Sequence, residues 1–409
     1  MTLIPLQNRE YKDMNEVQIS AFEVKQPVGT FFCGVINASV LKEITFSDIR
    51  RLENDESREL DDFIGIQRPL SDTRTKAITK YISGPEATFP NSIIISINEK
   101  NIEWDESAGK LTIKYGSDEE KNKIAKILDG QHRISGFNNN NTSFIDDDDN
   151  KQDFGVIVTI FIDADISTQA NIFATVNLAQ TKVNRSLVYD LESLAKSRSP
   201  EKTSHDIAVL LNREKGPFNK RIKRLGVATK GVKNELLTQA TFVQNLLKLM
   251  THDPTSDRNY YLAQQKGGER AKSYKLEKTD YDDAISYPFR ASFLNEKDGV
   301  IASNVNNFFS AVQELWPDAW RKENKASSLN KTIGFIALMR ILKVIMQLFF
   351  EKEGVNDSRV FGVNEFLEIL DGGILTSCDF EGLDATSKTT KVIYDMILEN
   401  LLIDEDEDI

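Results

Sequence analysis

Five adjacent residues, Asp129, Gly130, Gln131, His132 and Arg133, lie inside the stretch ILDGQHRISGF (127–137) of a 409-residue chain with only three histidines. Their types suit an oxyanion. Glycine lets the backbone approach a phosphate closely, or adopt a positive φ. The arginine fork can grip two phosphate oxygens. Histidine can donate to an oxygen or take up a proton near neutral pH. Asp129 can orient a ribose hydroxyl, a water or Arg133 itself. A strand that turns through glycine into a helix also offers backbone N–H groups to an anion, since the first helical amides lack intrahelical partners and the dipole adds about half a positive charge there. The residues alone leave a second reading open: a plain strand-to-helix turn with Asp129 as N-cap and Arg133 in a salt bridge. In both, Ile134 and Phe137 face the core and anchor the helix.

The elements that must position this turn can be read from hydrophobic patterning. IAKIL (124–128) reads as the strand entering it, SIIISI (92–97) as a compact apolar strand, and GVIVTIFID (155–163) as a strand apolar enough to be central in its sheet. NIEW and KLTIKY flank DESAG, a hairpin signal. NNNNTSFIDDDDNKQD reads as a polar loop whose four consecutive aspartates could hold a cation loosely. From about residue 186 the pattern is helical. The expected fold is α+β, a mixed sheet with helices over 1–200, followed by a mainly helical domain over 201–409. The most apolar stretch, 332–350, carries Arg340, Lys343 and Gln347 at helical spacing, which predicts a buried helix rather than a membrane span.

Composition narrows the class. Hydrophobic residues at 40% and charged residues at 28% are those of a globular protein. Two distant cysteines, Cys33 and Cys378, and no basic-then-apolar N-terminal pattern predict a reduced, cytoplasmic setting. A net charge of −12 argues against general polyanion binding, yet residues 213–233 hold eight lysines and arginines against one acid, Glu214. This segment is either a solvated linker or a phosphate-backbone contact on DNA, with Lys220, Arg221, Lys223 and Arg224 as its densest part. His205 and His252, each before an aspartate, read as helix-cap or turn residues. No HExxH, clustered CxxC or GxSxG pattern is present.

ILDGQHRISGF resembles the signature of the DGQHR-domain family, which includes the DndB proteins of DNA phosphorothioate modification systems. GIQRPLSDTRTKAITKYI (65–82) with TFPNSIIISI is similar to the family's arginine-containing helix and following strand, and NIFATVNLAQTKVNRSLVYDL (171–191) to its second signature. The family in turn resembles the ParB/sulfiredoxin superfamily. The resemblance implies a ParB/sulfiredoxin-like mixed sheet and a triphosphate on the turn Gly130-Gln131-His132-Arg133. Where sulfiredoxin-like proteins have a reactive cysteine this chain has Gln131, which excludes thiol chemistry at that position. It further implies cofactor contacts from Arg68, with Arg74 beside it, and from Asn177 and Gln180 in a second box, where Asn184 is also in register. Val176 stands where that box carries an acid, so no ligand for Mg2+ can be assigned, although the ion itself is compatible with a triphosphate.

The expectation is a DNA-associated NTP-binding protein, an NTPase using ATP or another NTP, in a DNA-modification or phage-defence system. Gln131 would orient water, His132 contact the phosphate and Asp129 assist. The alternative is a DNA-binding transcriptional regulator without turnover, and a third reading is a scaffold for modification enzymes. Expected partners are DNA, nucleotide, other proteins of the system and a second copy of the chain, with no membrane.

Overall fold

The computed structural model describes residues 14–47, 51–53, 62–64, 71–116, 123–178, 185–229, 231–233, 235–276, 281–384 and 386–402. The chain divides into two compact units, Met1–Thr181 and Lys182–Ile409. The division falls ahead of helix Arg185–Glu192 rather than near residue 200, because that helix packs on helices Pro200–Arg213 and Gln239–Leu247.

The first unit is the mixed α+β part. Its strands are β1 (Met14–Gln26), β2 (Gly29–Asn37), β3 (Thr45–Phe46), β4 (Arg51–Glu53), β5 (Asp62–Ile64), β6 (Ile93–Ile97), β7 (Ile102–Asp105), β8 (Lys110–Gly116), β9 (Ala125–Asp129), β10 (Ser143–Ile145), β11 (Lys151–Asp153) and β12 (Gly155–Ile162). Eight of them form one sheet in the order β3-β9-β6-β12-β2-β1-β8-β7. β12 is central as expected, parallel to β6 and antiparallel to β2. Its alternate residues Val156, Val158 and Ile160 are fully buried on the core face. The opposite face is open near β12, where Ile157 pairs with Val35 and both are exposed. Helices Ala38–Ile44, Asp72–Ile82 and Gln131–Gly136 supply Leu41, Ile44, Ile82 and Ile134 to this core.

The β7–β8 hairpin closes around DESAG. Asp105 accepts from Ser107 Oγ at 2.6 Å and from the Ala108 amide at 3.1 Å, and these bonds hold its carboxyl below the usual range. The stretch read as a polar loop is instead the β10–β11 hairpin. Asp146 builds its turn by accepting from the Asp148 and Asn150 amides and from Gln152 Nε2, a local side-chain-to-backbone solution that periodicity does not reveal.

The second unit is helical. Helix Thr332–Glu353 is long and apolar enough to cross a membrane, and its Phe335, Leu338, Leu342, Ile345 and Met346 are buried in the core of this unit. Phe218, Phe242, Phe309 and Phe335 pack ring against ring in the same core. One buried charge here is matched by a partner. Arg290 forks onto Asp257, with Nη2 to Oδ1 at 2.9 Å, and Thr251 Oγ1 donates to the same carboxylate at 2.7 Å. Removing one partner strands the other charge in the interior, which costs on the order of 3–5 kcal/mol. Asp257→Ala should therefore lower the urea stability of the second unit by that amount. A loss below about 1 kcal/mol would mean that water reaches Arg290.

Candidate functional site

β9 delivers the turn. Ile127 and Leu128 are buried, Asp129 ends the strand, and Gly130 turns the chain with φ 99° and ψ 12°. That left-handed conformation is where a side chain is disfavoured. A Cβ on Gly130 would also stand 3.1 Å from both Arg133 Nη2 and Ile93 Cγ1. Gly130, and not Asp129, is thus the N-cap of helix Gln131–Gly136, and the Ile134 amide bonds back to its carbonyl at 3.0 Å.

The carboxylate of Asp129 is used differently. It accepts from Arg133 Nη2 at 2.8 Å, while Nη1 donates to the Asn91 carbonyl at 2.6 Å. The pair is only about one-fifth exposed, 18% for Arg133 and 23% for Asp129. The salt bridge allowed by the residues is therefore formed, and the arginine fork ties β9, its following helix and the approach to β6 together. Ile134 and Phe137 are buried as expected, with Phe137 edge-on to Phe89 and Phe154. Gly136 closes the other end of the helix. A Cβ there would meet Ile78 Cγ2 at 2.5 Å, and Thr79 Oγ1 donates to its carbonyl at 3.0 Å. Gln131 is buried and His132 half-buried.

The other expected site residues separate. Arg74 is exposed in the first turn of helix Asp72–Ile82, its amide capped by Ser71 Oγ. Arg68, Gln180 and Asn184 lie outside the described residues, as does the side chain of Asn177, a position in helix Ile166–Leu178. Among the described residues no three His, Cys, Asp or Glu side chains gather as metal ligands would.

In the second unit the basic segment is built into the fold rather than solvated as a linker. Strands β13 (Ile222–Lys223) and β14 (Leu237–Thr238) pair in parallel, and Phe218 is fully buried. Lys220 is exposed and Lys223 half-buried. Arg221 is buried under Trp320, which removes it from any surface contact, and Arg224 lies 3.7 Å from the buried carboxylate of Asp190. His205 is no cap. It is buried mid-helix, with Nε2 3.3 Å from Asp190 and Nδ1 3.0 Å from Asp206. Sequence reasoning missed this Asp190–His205–Arg224 cluster, whose parts lie on three separate elements.

A mixed sheet with a glycine turn at the end of β9, and a helical unit with a folded-in basic segment, define a two-part α+β protein. The chain belongs to the DndB family, described as DNA-sulfur modification-associated, whose profile matches residues 32–261, more than half of it. Its setting is accordingly DNA sulfur modification. No curated protein and no solved structure matches the chain.

Gly130→Ala should lower the urea midpoint by the equivalent of about 1–3 kcal/mol, through left-handed strain and contact with Ile93. An unchanged midpoint would mean that the turn relaxes freely. For His205, burial alone would depress the imidazolium, but the bonds to Asp190 and Asp206 prevail and the pKa is raised. A raised folded pKa stabilises below the ordinary value of about 6.5, and that stability is lost as pH rises through the folded pKa. Thermal stability of the wild type should fall with pH above about 6.5, and His205→Gln should remove that slope. The same slope in both would place the titration elsewhere.

Proposed function

We propose that this protein is the nucleotide-binding, DNA-associated component of a cytoplasmic DNA-sulfur-modification system. In this reading a nucleoside triphosphate, ATP first among them, binds at Gly130–Arg133 and is hydrolysed, and basic residues of the second unit contact DNA. The observation that carries the proposal is the left-handed Gly130 at the end of β9, in a chain whose family works on DNA. It turns the strand into the helix beside a guanidinium already oriented by Asp129. Hydrolysis needs little covalent chemistry from the protein, only positioning and charge stabilisation. His132 would meet the phosphate and Gln131 orient the water.

A DNA-binding regulator without turnover is the second reading, favoured by one fact. Both terminal nitrogens of Arg133 are already engaged, by Asp129 and by the Asn91 carbonyl. Phosphate release with ATP, GTP and CTP, with and without DNA, separates the two. Arg133→Lys keeps the charge and loses the fork, and should weaken nucleotide binding more than tenfold, since a bond to a charged group contributes about 1.5–3 kcal/mol. Release above background that depends on Arg133 supports the NTPase. Binding without release supports the regulator, and nucleotide affinity unchanged in Arg133→Lys would sink the phosphate site.

A further inference from the structure

We infer that Lys220 and Lys322 of the second unit, beside the buried Arg221, form a site for a phosphate-type oxyanion. Lys322 follows helix Pro317–Trp320 and is brought to residues 216–221 by the fold, its Nζ donating to the Asn219 carbonyl. The corner is rigid. Phe218 is fully buried, Lys220 holds a left-handed φ of 52°, and its amide bonds to the Asn212 carbonyl at 2.9 Å. Asn219 Nδ2 donates to the carbonyls of Arg213 and Glu214, and Trp320 Nε1 donates to the Pro217 carbonyl.

Three cations converge here, with the charge of Glu323 acting on Arg221 and Lys322 but, among the described residues, in ion-pair contact with neither. Arg221 is 4% exposed, stacked 4.6 Å over the Trp320 ring, with Nη2 on the Trp320 carbonyl. Its Nε and Nη1 are buried and have no hydrogen-bond partner. Among the described residues, none of Lys220, Arg221 and Lys322 is in ion-pair contact with a carboxylate, whereas neighbouring Arg213 and Arg321 pair with Glu214 and Asp318. Burial pushes the Arg221 guanidinium down to about 10. Burial, then the nearby Arg221, also lowers the Lys322 ammonium. A buried guanidinium without an ion-pair partner projects its field through low-dielectric surroundings, and Arg221 and Lys220 both act on the Lys322 ammonium. An oxyanion seated between Lys220 and Lys322 would add counter-charge to that of Glu323, one carboxylate against three cations.

The site deepens the DNA reading by adding Lys322, about a hundred residues beyond the basic segment, and it rests on that reading only for the source of the phosphate. Free phosphate and the DNA backbone present the same chemistry, so the test carries both. The proteins are the full chain, its Lys220→Gln/Lys322→Gln variant, and Arg321→Gln as a control. Inorganic phosphate at about ten times its dissociation constant, against chloride at equal ionic strength, should raise the melting midpoint of wild type and control by about 2–4 °C and leave the double variant unmoved. A duplex titration over several salt concentrations should show the slope flattened by about two units in the double variant. No phosphate shift in the wild type, or the same shift in the double variant, would overturn the site. A phosphate shift lost in the variant with an unaltered DNA slope would keep the site, assign it to free phosphate, and count against the DNA reading instead.

Discussion

At Gly130 the chain must leave the sheet and begin a helix within one residue, and only a positive φ accomplishes this while Ile93 and the Arg133 guanidinium press from the side. Much of the first unit follows from that constraint. The helix it starts is six residues long, too short to be stable alone, and is held by contacts at both ends. At the front, Arg133 bridges Asp129 and the Asn91 carbonyl. At the back, Ile78 and Thr79 close over Gly136. Phe137 then enters a cluster with Phe89 and Phe154, so the turn is fastened to the residues just before β6 and just before β12. Such a turn is preorganised, its backbone fixed from both ends.

The second unit treats charge in two contrasting ways. Deep in the helical packing Arg290 is matched to Asp257, and the partly exposed Arg198 is matched to Asp298. Near residues 216–221 the matching stops, and Arg221 is stabilised by a tryptophan ring and a carbonyl instead. A net charge of −12 makes this local excess of positive charge stand out more, because acids are plentiful in the chain. Holding a guanidinium in an interior without an acid is costly unless something outside completes it.

Much of this was legible in the sequence where the signal was local. β12, the DESAG hairpin, the apolar helix at 332–353 and the inward Ile134 and Phe137 all follow from periodicity and turn composition. The DGQHR stretch pointed to the family that its profile confirms. What stayed illegible was set by distance along the chain or by dihedral angle. Arg221 and Trp320 are 99 residues apart, so nothing in the basic run indicated that one of its cations is a core residue. Asp190 and His205 meet only because two helices pack. The choice of Gly130 over Asp129 as cap depends on a backbone angle that residue types allowed but did not require.

The position of β12 has a consequence for how the protein is made. β2 ends at Asn37, while the strand that covers its free edge begins at Gly155, and the same late strand joins β6 to β2. At about 5–20 residues per second, the β1–β2 hairpin leaves the ribosome roughly 6–24 s before that edge can be closed. During that interval Phe31, Phe32 and Ile36 lie along an unpaired strand edge, a template for pairing with other nascent chains. The first unit cannot complete its sheet until β12, its last strand, is translated, so this hairpin is the part of the nascent unit left longest open to mispairing.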